Sequence, residues 1–285
     1  MLKINKSDLI KDSDHVKKFF SKFDTILWCL GIGDFLTFDS YIPEYFYKNL
    51  KKIFLFTSRN QTFEKLIKAN KNYESVEIVF ADNKYDKGEI YKIDGYLDSF
   101  LKKHNLKKEN CFLDDLMIWN LPKIESINPK VSSFFTQELC ELKYTFTEDD
   151  YCIIFPSTKN TRNRRFFTFD DWQETFKILK YYKYKGVVLG HEKFKVPKIA
   201  DFVDLTSKTS ILEAIELTKK AKMYIGIDSF LSVLAMQTFS EEKIYIKSVE
   251  NHLYENIKFF SPFKNINNFV NNRIKIRDKK ILNII

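Results

Sequence analysis

Four short polar clusters in the 285-residue chain carry residue types able to do chemistry. The first is Gly31-Ile32-Gly33-Asp34. Glycines in a turn let a backbone approach a ligand closely and leave helix N–H groups open to an anion. Asp34 adds a carboxylate that can take a proton from an acceptor group. Leu36 stands where a dinucleotide fingerprint needs its third glycine, so the turn does not read as that motif. The plain alternative for Asp34 is a helix N-terminal cap. The second cluster is Ser157-Thr158, followed by Arg162, Arg164 and Arg165. Two hydroxyls and a run of guanidinium groups suit phosphate. A solvated basic loop or a nucleic-acid contact is the alternative. The third is Gly190-His191-Glu192, where Glu192 is either a hydrogen-bond acceptor for a ribose or a surface glutamate. The fourth is Gly226-Ile227-Asp228-Ser229, an acid and a hydroxyl at a helix start, where a cap is again the alternative.

The elements around these clusters follow from periodicity. Short apolar runs at 24–30, 52–57, 76–81 and 110–116 predict buried strands. Helical patterns lie at 7–23, 35–49, 61–69 and 94–104, with Pro43 breaking or kinking the second. The rhythm fades over 119–150, and acidic residues 147–150 read as a linker. It restarts with strands at 151–155, 186–189, 202–205, 223–227 and 243–246. Capping-box patterns at Thr168 and Ser210 open helices to 182 and 222, and a third helix runs to 239. Alternating strand and helix predicts parallel α/β sheet. The expected fold class is α/β with two Rossmann-like domains facing each other across a cleft. The boundary falls between residues 1–147 and 148–285, and the apolar tail of the second domain can return to the first. Gly31, Gly33, Gly190 and Gly226 all fall at or beside strand carboxyl ends, the edge where open α/β sheets bind ligands.

Composition narrows the function classes. Hydrophobic residues are 44% and charged residues 30%, which excludes wholesale disorder, and Gly 7 with Pro 6 excludes collagen-like and low-complexity chains. Residues 1–150 carry a balance of −1 and residues 151–285 a balance of +10. The second half is therefore the place for an anion: a nucleotide, a phosphorylated sugar, nucleic acid or an anionic membrane surface. A solubilising lysine surface is the bland alternative. Cys29, Cys111, Cys140 and Cys152 are far apart in sequence and read as reduced core thiols. The four histidines make no ligand pattern, so no metal is expected. The opening residues lack an apolar signal core, and no run reaches the ~18 apolar residues of a membrane span. A cytoplasmic protein is expected.

Taken in order, the strand–GIGD–helix start, FPST, RRFFTFDDW, VVLGHE, DLTSKTSILEAIELTKKAKMYIGIDS and LAMQT resemble the ADP-heptose–lipopolysaccharide heptosyltransferase family. These are inverting glycosyltransferases of the GT-B fold. The likeness is best over residues 150–246, and in the amino half it rests on the GIGD turn. It implies that Asp34 is the catalytic base and that Ser157 and Thr158 contact the donor phosphates. Arg165, seven residues before Trp172, stands for a donor-binding lysine. Glu192 holds the donor ribose, and Asp228 and Ser229 contact donor sugar and phosphate. Gly33, Arg162 and Gly190 belong to the same turns. The family usually reads DSGPxHLA where this chain has Asp228-Ser229-Phe230-Leu231-Ser232-Val233-Leu234-Ala235, so its Gly-Pro and His are absent.

The implied activity is transfer of a sugar from a nucleotide-diphosphate sugar to a glycan or lipid-linked glycan hydroxyl, without metal or other cofactor. Peripheral contact with the inner membrane face would fit such an acceptor. The lone DxD, Asp12-Ser13-Asp14, precedes a helix and not an apolar strand, against a metal-dependent GT-A fold. Two alternatives stay open: a transferase acting on hydroxylated DNA bases, and a non-catalytic sugar-nucleotide or nucleic-acid binding protein.

Overall fold

The computed structural model describes residues 13–56, 60–81, 95–114, 130–144, 146, 150–157, 166–190, 197, 202–247 and 270–271. The chain divides into two compact units, Met1–Ser133 and Phe134–Ile285.

The first unit contains α1 (Ser13–Phe20), β1 (Thr25–Trp28), α2 (Ile32–Tyr41), α3 (Glu44–Asn49), β2 (Lys52–Leu55), α4 (Asn60–Ala69), β3 (Glu77–Phe80), α5 (Tyr96–Lys103) and β4 (Cys111–Leu113). The four strands are parallel in the order β3-β2-β1-β4. Of the two outcomes expected at Pro43, a kink or a break, the break is the one formed: two helices replace one over 35–49. Pro43 has no N–H to continue the first and instead caps the second. The helix also begins earlier than expected, at Ile32, which puts Gly33 and Asp34 in its first turn.

Strand β1 is buried along its whole length, as a parallel strand covered on both faces must be. On one face Trp28 meets Phe35 and Phe38 of α2 at ring-centroid distances of 4.9 and 5.5 Å. Phe38 in turn packs on Phe46 and Phe112. On the other face Leu27, Phe54 and Leu113 pack with Phe100 and Leu101 of α5. Tyr96 and Leu97 flank that cluster, so the apolar stripe expected over 94–104 is the stripe that packs. Each such side chain is worth roughly 1.5–3 kcal/mol of apolar burial.

A short helix, α6 (Ser133–Thr136), spans the junction between the units in sequence. The second unit contains β5 (Tyr151–Phe155), α7 (Phe169–Tyr182), β6 (Lys185–Val188), β7 (Phe202–Asp204), α8 (Ile211–Lys220), β8 (Met223–Ile227), α9 (Phe230–Thr238), β9 (Ile244–Lys247) and β10 (Val270–Asn271). Its six parallel strands run in the order β10-β9-β8-β5-β6-β7. The two anticipated capping boxes form: Thr168 with Asp171 at α7, and Ser210 with Glu213 at α8. Strand β10 was not evident in the Asn- and Lys-rich tail. It pairs with β9 through Val270↔Ile246 and Asn271↔Lys247.

Candidate functional site

In the second sheet the strand order reverses beside β5. The chain runs from β5 outward to β6 and β7, then returns to β8 on the opposite side of β5. Neighbouring loops diverge at such a reversal, and open α/β sheets bind ligands there. The register pairs Phe155 with Gly226 and Ile154 with Val188. Ser157, the Asp228-Ser229 pair and Gly190 therefore follow the carboxyl ends of three adjacent strands, at one edge of one sheet. Ser157 is buried and bridges Phe166, and the Phe167 N–H donates to the Pro156 carbonyl at 2.9 Å. The arginine-bearing segment thus leaves and re-enters at this edge. Thr158, Arg162, Arg165 and Glu192 lie outside the described residues.

Backbone and hydroxyl groups order the end of β8. The Tyr224 hydroxyl donates to the Ile227 carbonyl at 2.9 Å and lies 3.4 Å from Ser229 Oγ. Burial pushes this phenol up, so it is a neutral donor at any ordinary pH. To reach the strand end, the tyrosine lies across Gly226, where a Cβ would run into its hydroxyl and come within 3.0 Å of the Phe155 carbonyl. Ser229 caps α9: its Oγ accepts the Leu231 N–H at 3.2 Å, and its own N–H donates to Ser232 Oγ at 2.9 Å. Ser232 Oγ also lies 3.5 Å from Asp228 Oδ1. Val233 is buried. On the far side of β5, the Gly190 carbonyl accepts the Ser207 N–H at 2.8 Å, tying the exits of β6 and β7 together.

One cation at this edge was missed. Lys247 ends β9 and is paired in register with Ile227, next to Asp228. Its ammonium donates to Asp171 Oδ2 at 2.5 Å and to the Phe166 carbonyl at 2.9 Å. Asp171 also accepts the N–H and hydroxyl of Thr168, both at 2.7 Å. Burial alone would raise the Asp171 carboxyl, but the Lys247 and Thr168 bonds outweigh it and hold the group below its usual range. The signal available in the sequence was the lysine closing the apolar run IYIK at a ligand-side strand end.

In the first sheet the order reverses beside β1, whose neighbours are β2 and β4. Asp34 sits at this reversal, half-buried in the first turn of α2, and Asp34 Oδ2 accepts the Gly31 N–H at 2.9 Å. A Cβ on Gly31 would stand 3.0 Å from that oxygen, so glycine lets the carboxylate fold back onto the turn. Asp34 therefore does cap the helix; capping uses Oδ2 and is compatible with a second role. Asp39, one turn further on, is fully buried. It accepts from Tyr47, Tyr73 and Ser132 hydroxyls at 2.7 Å each and from the Ser133 N–H at 2.6 Å. Burial, with the charge of Asp39, pushes both phenols far up, so they stay protonated donors. Asp39 is a structural hub, not a second candidate base.

No group of three or more His, Cys, Asp or Glu suited to a metal occurs among the described residues. No helix of the described residues is long and apolar enough to cross a membrane.

No protein-family model and no curated protein sequence matches the chain. Among solved structures, the chain is similar to a glycosyl transferase family 9 protein from Veillonella parvula, at 12% identity and a TM-score of 0.47, over 84% of each chain. It is also similar to the iron-containing dodecameric heptosyltransferase TibC, solved with ADP-D-β-D-heptose. That likeness is at 14% identity and a TM-score of 0.44, over 79% of this chain and 58% of TibC. A second TibC structure, from enterotoxigenic E. coli, is similar at 13% identity and a TM-score of 0.43, over 78% of this chain and 56% of that one.

Proposed function

We propose that the chain is an inverting glycosyltransferase that moves a sugar from a nucleotide-diphosphate sugar to a glycan hydroxyl. One observation carries the reading. The residues singled out for donor binding, Ser157, Gly190, Asp228 and Ser229, end adjacent strands where the second sheet reverses its order.

In this reading the second unit holds the donor. The positive end of the α9 dipole and the arginines of the 158–165 segment neutralise the diphosphate. Asp34 of the first unit takes the proton of the acceptor hydroxyl. The acceptor oxygen forms a bond to the anomeric carbon, on the face opposite the bond from that carbon to the diphosphate, which breaks. The electron pair leaves with the nucleoside diphosphate, and configuration inverts. Donors fixed in advance at the leaving group lower the barrier without metal.

The test is nucleoside diphosphate release from a panel of ADP-, UDP- and GDP-sugars, with lipid-linked glycans and hydroxymethylated duplex DNA as acceptors. Acceptor-dependent release that is lost in Asp34→Asn supports the reading. A panel in which no sugar nucleotide binds or turns over overturns it. Release only with the duplex would move the acceptor from glycan to DNA.

A further inference from the structure

At the end of β1 the chain stops behaving as a strand. Successive N–H groups of an extended strand point to opposite sides, yet the Cys29 and Leu30 N–H groups both donate to the same oxygen. That oxygen is Oδ2 of Asp114, at 2.5 and 2.8 Å. The Cys29 thiol donates to Oδ1 of the same carboxylate at 3.2 Å. Asp114 follows β4 and is fully buried. The next amide, Gly31 N–H, goes to Asp34 Oδ2 at 2.9 Å. Three consecutive amides at the order reversal of the first sheet are thus held by two carboxylates from different parts of the chain.

Consecutive amides converging on one point, ahead of a helix N-terminus, form an anion-binding concavity. We propose that Asp114 is a built-in anion that fills this concavity, closes it to an external phosphate, and acts as the positioning residue for Asp34. The second part rests on the reading of Asp34 as base. The physical chain is short. The Asp114 carboxylate fixes the peptides of Cys29 and Leu30. The Leu30–Gly31 peptide in turn sets where the Gly31 N–H points, and that N–H holds Asp34 Oδ2. Charge-assisted bonds to a fully buried carboxylate are the strong kind, so the turn is held stiffly.

The assignment is tested without relying on activity. Asp114→Ala empties the concavity and leaves its amides without their acceptor. Sodium formate, compared with sodium chloride at equal ionic strength, should raise the melting temperature of this variant and leave the parent unmoved. Equal responses of variant and parent overturn the built-in anion. Should Asp114→Ala fail to fold, Asp114→Asn keeps the shape and removes the charge. Amide exchange at Cys29, Leu30 and Gly31 should then quicken by about tenfold or more, while the Ile26 amide within β1 is unchanged. Unchanged exchange at all three amides likewise overturns it. Positioning is read separately: Asp114→Asn should lower kcat with donor KM within a factor of about two, the pattern of a lost transition-state interaction. A normal kcat alongside fast exchange would refute positioning. An inactive parent would refute Asp34 as base, and the formate and exchange results would still decide the role of Asp114.

Discussion

Lys247 and Asp171 form a buried ion pair that joins the end of β9 to the first turn of α7. The same lysine holds the carbonyl of Phe166, the residue that follows Arg165 in sequence. One side chain therefore connects the sheet edge beside Asp228, the α7 cap and the exit of the segment read as phosphate-binding.

Breaking this pair from one side strands a buried charge, so Lys247→Met should cost about 3–5 kcal/mol in urea unfolding. Lys247→Met with Asp171→Leu removes both charges and should recover most of that loss. The pH dependence follows from the sign of the shift. Asp171 is held below its usual value in the folded state, so its contribution is fully present above the unfolded value of about 3.9 and is lost as pH falls through the folded value. The parent should lose stability on the acid side of about pH 4 more steeply than the double variant. Parallel stability curves from pH 7 to pH 3 would contradict this.

Asp34 and Asp39 lie on the same helix and should respond oppositely. Asp39→Ala leaves four hydroxyls, those of Tyr47, Tyr73, Ser132 and Ser133, and the Ser133 amide without their buried acceptor and should cost at least about 3 kcal/mol by urea unfolding. Asp34→Asn still has an oxygen for the Gly31 N–H and should melt close to the parent, while transfer falls roughly 100-fold or more. Turnover within a few-fold of the parent would leave Asp34 as a cap and nothing else.

Gly226→Ala would place a methyl against Tyr224 and the Phe155 carbonyl, inside the central strands. Overpacking of this kind costs about 1–3 kcal/mol, and here it should also displace the Tyr224–Ser229 contact. The expected outcome is a lower urea midpoint together with weaker nucleotide affinity by calorimetry. A variant as stable as the parent would show that the edge can give.

The parts of the fold legible in the sequence are those written locally. Tyr151–Phe155 and Met223–Ile227 are runs of five apolar or small residues and appear as strands over those same residues. Thr168 and Ser210 announce their helices three residues ahead through a reciprocal acid. The shared edge follows from parallel pairing and was legible; strand order was not, and it is the order that makes β6, β5 and β8, and so Gly190, Ser157 and Asp228, neighbours on that edge. The polar anchors were missed for the same reason. Asp114 meets Cys29 across 85 residues and Lys247 meets Asp171 across 76. In a linear reading Asp39 and Asp114 are ordinary acids beside apolar runs, and only folding shows that they are buried acceptors.

The proposed function requires a nucleoside diphosphate to sit where the second sheet reverses its order. Amide shifts measured by NMR during titration with ADP, UDP and GDP test it most directly. At least one of them should perturb Ser157, Gly190 and the Ser229–Ser232 amides together, with little change at Cys29, Leu30 and Gly31, where Asp114 already occupies the turn. Perturbation centred on the Gly31 turn, or none at Ser157 and Ser229 with all three nucleotides, would contradict it.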